Sequence, residues 1–324
     1  MAAVMGVAML PMVMMSQAPS APGPGAPPAV SAGPVFPAVN PKYFTATSPT
    51  VETVNAFLKE IWGFDANRVW SVAAIQATNA PGVSKVVVFI GDKTQGAKTQ
   101  QMVFFTTPDG KHAIADNVIE FGPQPFAATR ELLKARADGP ARGAAGKGLM
   151  LVEFTDLQCP HCKDAAPIME QLATDFPQAR VVLENFPLVE IHPQAFEAAA
   201  VGVCVRKGKG DEAFFKYAQA VFDTQGALTP TDVDATLSAA VTKVGGDPAA
   251  MLACAKEPAT IENVKASMDL AKAVGADGTP ALYINGFPIP INGVPYEMLK
   301  RIVAFRGSHD GVPVTVQPSL KSLK

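Results

Sequence analysis

Four consecutive residues hold the chemistry of this sequence: Cys159-Pro160-His161-Cys162. Two residues between the cysteines let both sulfurs lie on one turn of chain, close enough to form and break a disulfide. A cysteine at the first turn of a helix sits where unpaired backbone N–H groups and the helix dipole favour negative charge. The thiolate stabilised in this way is the attacking form of the residue. Pro160 suits the first helical turn because no hydrogen bond is needed from it there. Cys159 is therefore the expected nucleophile, partly exposed ahead of the helix, with Cys162 a turn inside. His161 is placed to donate to the Cys159 sulfur or to add positive charge beside it. An inert disulfide or half of a metal site is the competing reading. A zinc site needs about four ligands, usually with a second Cys/His pair at short spacing. Here Cys204 and Cys254 are isolated and the other histidines are scattered, so no metal or cofactor is expected.

The motif needs a strand before it and a helix behind it, and both are legible. Leu149 to Phe154 is an apolar run fit for a buried strand, and it breaks off into polar residues just before Cys159. Residues 164–176 read as a helix, with Ile168, Met169, Leu172 and Phe176 at helical spacing. Glu153 stands inside the apolar strand, where a charge is costly unless it has a role or a partner. Residues 179–186 supply a further strand, ended by Pro187. A helical region follows over 195–207, 212–222, 231–244, 248–256 and 261–274. His192 lies ahead of it as a loop residue without a catalytic role. Asn285-Gly286, between strands at 281–284 and 287–289, is a strong two-residue hairpin signal. A last helix covers 295–305.

Three motifs occur in order: Val152-Glu153-Phe154, Cys159-Pro160-His161-Cys162 and Gly278-Thr279-Pro280-Ala281-Leu282-Tyr283-Ile284-Asn285-Gly286. With a helix-rich insert between the second and third, residues from about 149 onward resemble the DsbA-type branch of the thioredoxin superfamily. The implied fold is α/β, a thioredoxin fold with a helical insertion, here preceded by a small α+β domain. The resemblance implies a cis peptide at Thr279–Pro280, in a loop facing the Cys159 sulfur. There the Thr279 backbone would pair with an incoming peptide in strand fashion, and its hydroxyl would lie near the sulfur, where relatives often place Val. The resemblance also implies an acid beneath the active site at the position of Glu153, with a proton relay to Cys162 as one role and a structural partner as the other.

The remainder of the chain bears on compartment and architecture. At 324 residues there is room for two ordinary domains plus tails. A net charge of −2 argues against a nucleic-acid surface, which would need a basic stripe. Residues 1–18 read as a signal peptide, with an apolar run over 2–15 and Ser16-Gln17-Ala18 at the cleavage spacing, although no Lys or Arg precedes the run. The Pro/Ala/Gly-rich spacer over 19–44 cannot bury a core. A small α+β domain is expected over 45–125. It has a helix starting near Ser48-Pro49-Thr50, strands at 69–77, 84–90 and 101–106, a Pro108-Asp109-Gly110-Lys111 turn and a partner strand from His112 to Phe121. His112 is expected as an exposed strand residue. In size, and in being followed by a helical connector, this domain is similar to the dimerisation domain of the DsbC/DsbG-type isomerases. A connecting helix and Gly/Ala/Pro-rich hinge occupy 126–148, and the domain boundary is expected there. The DsbA-like domain spans 149–310, its insert about 190–274, and a tail covers 311–324.

The expected activity is that of an exported thiol:disulfide oxidoreductase, periplasmic or extracytoplasmic, which donates the Cys159–Cys162 disulfide to reduced unfolded proteins. As the resemblance implies, a membrane quinone-linked thiol oxidase of the DsbB or vitamin K epoxide reductase type would reoxidise it. An isomerase or reductase is the alternative within enzymes, and a thiol-based copper or zinc binding module is the alternative outside them. In an oxidising compartment Cys204 and Cys254 are expected to close a structural disulfide. Electron shuttling and unpaired buried thiols stay open as other readings. Oligomeric state is left open.

Overall fold

The computed structural model describes residues 34–94, 98–115 and 118–314. The signal peptide expected over 1–18, most of the spacer and the end of the tail lie outside these residues. The first unit begins with α1, Val51–Trp62, capped by the Thr50 hydroxyl, which accepts the Thr53 N–H at 3.2 Å. Such a cap contributes about 1 kcal/mol. The apolar face of α1 (Val54, Phe57 and Leu58) packs on Val72, Ile75, Val86, Val88 and Phe104. These belong to β1 (Arg68–Ala77), β2 (Ser84–Asp92) and β3 (Gln100–Thr106), antiparallel neighbours in a sheet that continues through β4 (His112–Ile114) and β5 (Val118–Glu120). The stretch expected as a single strand from His112 to Phe121 is thus two antiparallel strands, with His112 opposite Glu120. Asp116 and Asn117, turn-forming residue types, lie between them in sequence. The His112 side chain is 43% exposed at the start of β4, its Nδ1 3.0 Å from Asp109 Oδ2 in the preceding turn.

The second unit has a sheet in the order β10-β9-β7-β8-β6. Its centre is β7, Met150–Thr155, parallel to β8, Arg180–Asn185, and antiparallel to β9, Ala281–Ile284. The β9–β10 hairpin (β10 is Phe287–Ile289) turns at Asn285, φ 47°, and Gly286, φ 86°. The turn needs positive φ at both positions. Gly286 is further required because a Cβ there would stand 2.6 Å from the Phe126 carbonyl oxygen. Alternation along β7 sends Leu151 to one face and Val152 and Phe154 to the other. The first face packs on α3 (Pro160–Asp175) and α9 (Tyr296–His309), and the second on α2 (Ala127–Arg136) and α8 (Pro258–Ala273). The result is three layers.

Two features of residues 126–148 depart from the expected connector and hinge. Leu133 and Ala137, 2% and 1% exposed, belong to the core under Val152 and Phe154, so α2 is part of the second unit's packing. Residues Ala141–Gly143 form β6, which pairs antiparallel with the edge of β8. The small residues read as hinge are those that let a strand lie flush. Between β8 and β9 the insert places α4 (Ala195–Lys209), α5 (Asp211–Asp223), α6 (Val233–Lys243), α7 (Pro248–Ala255) and α8. Its core of Val201, Val205, Phe214, Tyr217, Val221 and Leu237 also contacts Cys159 and Cys162. Cys204 on α4 and Cys254 on α7 are disulfide-bonded. The two units meet at a buried ionic contact. Arg306 on α9 donates to Glu60 of α1, with Nη1 2.8 Å from Oε2, and His309 Nε2 lies 2.7 Å from Oε1.

Candidate active site

The candidate active-site residues gather at the carboxyl end of β7. Strand β7 stops at Thr155, and Asp156 turns the chain. Its carboxylate accepts the N–H groups of Gln158 (2.7 Å) and Leu188 (2.8 Å) and lies 2.9 Å from His192 Nδ1. Cys159 is the N-cap of α3 and Pro160 its first residue. The Cys159 carbonyl accepts the N–H groups of both Cys162 and Lys163 at 3.2 Å, and both sulfurs are free thiols. From the other side the cis Thr279–Pro280 peptide closes over the sulfur, with Cys159 Sγ 3.7 Å from the Thr279 carbonyl oxygen. This cover leaves Cys159 only 4% exposed, more buried than expected of a partly exposed nucleophile, and Cys162 fully buried.

The two thiols are driven apart. Cys159 is lowered from an ordinary 9.0 to about 5, first by the hydrogen bond from the Cys162 thiol. Burial opposes this, while the Cys162 and His161 N–H groups and the Thr279 hydroxyl add to it. That hydroxyl is buried with no other partner, available to a thiolate. Cys162 is pushed strongly upward by burial and by the neighbouring Cys159, against the Asp156 N–H, 3.4 Å from its sulfur, and the Thr155 hydroxyl. His161 acts here through its backbone. Its N–H supports the Cys159 thiolate, its carbonyl accepts from Asn292 Nδ2 at 3.1 Å, and the residue itself is exposed.

Glu153 lies on the α3 face of β7, two residues before Thr155, whose hydroxyl donates to its Oε1 at 3.4 Å. Burial raises its carboxyl to about 7, with the Thr155 hydroxyl and the Arg142 charge pulling the other way. A cavity of about 490 Å³ opens onto Glu153, Thr155 and Arg142. Among the described residues there is no group of three or more His, Cys, Asp or Glu that could hold a metal ion.

The structure brings together Cys159, Pro160, His161, Cys162, Thr279 and Pro280, with Glu153 beneath them. Cys204 and Cys254 are bonded to each other in the insert, outside this group. Sequence reasoning missed Asp156, Thr155, Gln225 and Arg142, and it set His192 aside as a loop residue although it contacts Asp156. Gln225 Nε2 donates to the carbonyls of Leu157 (3.0 Å) and Cys159 (2.9 Å), pinning the loop from the insert. An Asp two residues before a Gln at a strand's end is a local turn signal that would have found Asp156. Gln225 and Arg142 act across 66 and more residues or from a neighbouring strand, and no local pattern marks them.

Residues 150–304 match the family described as DSBA-like thioredoxin domain. The Na(+)/H(+) antiporter NhaA 1 of Salinispora arenicola is 34% identical over 93 residues, which are 28% of this chain and 14% of the antiporter. The chain therefore spans about one seventh of that relative. No helix among the described residues is long and apolar enough to cross a membrane. Solved structures similar to the chain include two thioredoxin-like proteins. The catalytic domain of Proteus mirabilis ScsC is 23% identical, with a TM-score of 0.46, over 55% of this chain and 98% of that one. BdbD from Bacillus subtilis in its oxidised form is 20% identical, also at 0.46, over 54% and 95%.

Proposed function

Residues 150–304 are a DSBA-like thioredoxin domain, and on that premise we propose that the chain is an exported thiol:disulfide oxidoreductase that gives the Cys159–Cys162 disulfide to reduced proteins. The observation that carries this reading is the asymmetry of the thiol pair. A substrate thiolate attacks Cys159 Sγ, the Cys159–Cys162 bond breaks, and Cys162 leaves and takes up a proton. The substrate's second thiolate then attacks the substrate sulfur of the mixed disulfide, and Cys159 leaves as thiolate. The substrate ends oxidised by two electrons and the enzyme reduced. Cys162 leaves poorly as a bare anion in its buried position, so a nearby acid must supply its proton, and we assign that role to Glu153.

The direction of flow follows from the energetics. At pH 7 a Cys159 thiol titrating near 5 rather than 9 favours the reduced form by at most about 2.7 kcal/mol, taking about 1.36 kcal/mol per unit over two units. Solvent screening at the sulfur reduces this. For a two-electron couple it corresponds to at most about 60 mV toward oxidising. The contribution is full only above pH 9, shrinks as pH falls and is gone below pH 5, where the thiolate protonates. Export is supported by the Cys204–Cys254 disulfide, a bond that persists in oxidising compartments. Substrates present themselves as extended chain beside the Thr279 backbone. A quinone-linked membrane thiol oxidase is the partner that would restore the disulfide.

The test is to equilibrate the purified protein with glutathione buffers and to follow thiolate absorbance against pH. A midpoint near 5, lost in Cys159→Ser, together with a potential above that of an ordinary dithiol, is expected. A midpoint near the free value of about 8.5 would remove the oxidase reading and leave a reductase or isomerase. A stoichiometric metal ion lost on Cys159→Ser would replace both.

A further inference from the structure

One residue touches both cysteines of the pair. The Asp156 N–H donates to Cys162 Sγ at 3.4 Å, and the Asp156 carbonyl accepts the Cys159 N–H at 3.0 Å. Asp156 stands where β7 leaves the sheet. Thr155 still takes part in the ladder, its carbonyl accepting the Phe186 N–H at 2.7 Å, whereas the next N–H turns to sulfur. That N–H favours the Cys162 thiolate against its burial. A thiolate forms at Cys162 in each half of the exchange, as leaving group when the enzyme's disulfide opens and as nucleophile when a mixed disulfide is resolved. A fixed N–H aimed at the atom where charge develops needs no reorganisation at that moment.

What fixes this N–H is the side chain of the same residue. The Asp156 carboxylate is fully buried, and a buried charge is costly unless donors meet it. Oδ1 accepts the Gln158 N–H at 2.7 Å, closing an Asx turn. Oδ2 accepts the Leu188 N–H at 2.8 Å and lies 2.9 Å from His192 Nδ1. A carboxylate can only accept, so in this contact the proton sits on Nδ1. His192 is itself held on both sides. Its N–H donates to the Leu188 carbonyl at 2.8 Å, and its carbonyl accepts the N–H of Ala195, the first residue of α4, at 3.0 Å. The imidazole is 17% exposed, so a continuous set of contacts runs from near the surface, ahead of the helical insert, to the buried sulfur.

Resting on the oxidoreductase reading and deepening it, we infer that Asp156 and His192 are positioning residues for Cys162. The imidazole anchors the carboxylate, and the carboxylate holds the Asp156 N–H on Cys162 Sγ. When a substrate thiolate attacks Cys159 Sγ, the electron pair of the Cys159–Cys162 bond passes to Cys162 Sγ, where that N–H meets it. In reverse, the Cys162 thiolate forms the bond to Cys159 Sγ, and the substrate leaves as thiolate with the electron pair of the mixed disulfide. The donor is in place for both directions. It therefore speeds opening and closing alike and leaves the equilibrium between them where it was.

The experiment uses the full chain, reduced and mixed with Ellman's disulfide. Cys159 attack releases the first thionitrobenzoate, and Cys162 attack on the mixed disulfide releases the second. His192→Ala is expected to slow the second release relative to the first on the order of 10-fold. This is less than the loss of an N–H that bonds an oxyanion, because the donor is displaced rather than deleted and its acceptor is sulfur. His192→Asn, whose amide N–H can take the Nδ1 position, should restore the ratio. His192→Gln, whose amide reaches the Nε2 position instead, should behave as His192→Ala does, and it stands in for that variant if His192→Ala does not fold. In each folded variant the glutathione equilibrium and the Cys159 thiolate midpoint should keep their parent values. An unchanged ratio in His192→Ala and His192→Gln would overturn the inference. So would a ratio that falls only together with a displaced equilibrium or Cys159 midpoint, the signature of a loosened loop. A parent protein without a fast first release would instead defeat the oxidoreductase reading.

Discussion

Cys159 and Glu153 are both ionisable groups held away from water, and they respond in opposite directions. The sulfur receives hydrogen bonds from a thiol, a hydroxyl and backbone N–H groups, and these outweigh its burial. The carboxylate has one hydroxyl at 3.4 Å and a guanidinium charge to set against full burial, and burial wins. A carboxyl raised from 4.5 to about 7 makes the folded protein less stable where it must ionise. The penalty, at most about 3.4 kcal/mol from about 1.36 kcal/mol per unit, is fully present above pH 7. It shrinks as pH falls and is gone below about 4.5, where folded and unfolded states are both protonated. Glu153→Gln is therefore expected to be more stable than the parent by about 2–3 kcal/mol at pH 8 and equal to it at pH 4, measured by urea unfolding. Equal stability at both pH values would mean that Glu153 is not held in the neutral form by its surroundings. The gain would come with a slower Cys162 step, a trade of activity against stability.

At the scale of elements, the active-site loop is held by contacts from distant parts of the chain. Gln225 satisfies two carbonyls of the loop at once, and Gln158 and Gln194 bond each other reciprocally, Gln194 N–H to Gln158 Oε1 at 2.9 Å and Gln158 Nε2 to Gln194 Oε1 at 3.2 Å. Gln225→Ala strands the Leu157 carbonyl, while that of Cys159 keeps the Cys162 and Lys163 N–H groups, and an unmade bond costs about 1–3 kcal/mol. A loss of that size in denaturant unfolding, with faster hydrogen exchange in the 157–162 loop, is the expected outcome. No change in either would mean that water replaces the amide without cost. Elements made by local pattern were legible. The Cys159 helix start, the Asn285-Gly286 hairpin and each helix of the insert follow from proline placement, turn chemistry and 3.6-residue spacing. β6 was not, because Ala141-Arg142-Gly143 has no alternation to read and becomes a strand only through the free edge of β8. The His112–Glu120 stretch was read one strand short because its two halves are three residues each. The site was legible where its residues lie within a few positions of Cys159 or in the Thr279-Pro280 motif. Arg142, Gln225 and the Asp156–His192 contact exist only once the chain has folded.

At the scale of the molecule, the two units are joined by charge buried between helices. Arg306, 3% exposed, donates to both the side chain and the backbone carbonyl of Glu60, and Phe126, Phe287 and Phe305 line its guanidinium. Removing one partner of such a pair leaves the other buried and uncompensated, at about 3–5 kcal/mol. Arg306→Ala is expected to lose stability of that order, and Glu60→Gln combined with Arg306→Met to recover most of it. A surface-like loss below 1 kcal/mol in the single variant would show that the units do not dock through this pair.

The pairing of β6 with β8 also decides where this protein can be cut. The matched domain begins at residue 150, downstream of β6 and α2. A fragment excised there would carry β8 as a bare border, its amide and carbonyl row open to any passing chain. The hydrophobic side of β7 that Leu133 and Ala137 shield would be wetted at the same time. Such a piece invites self-association, whereas one starting at Phe126 keeps both coverings.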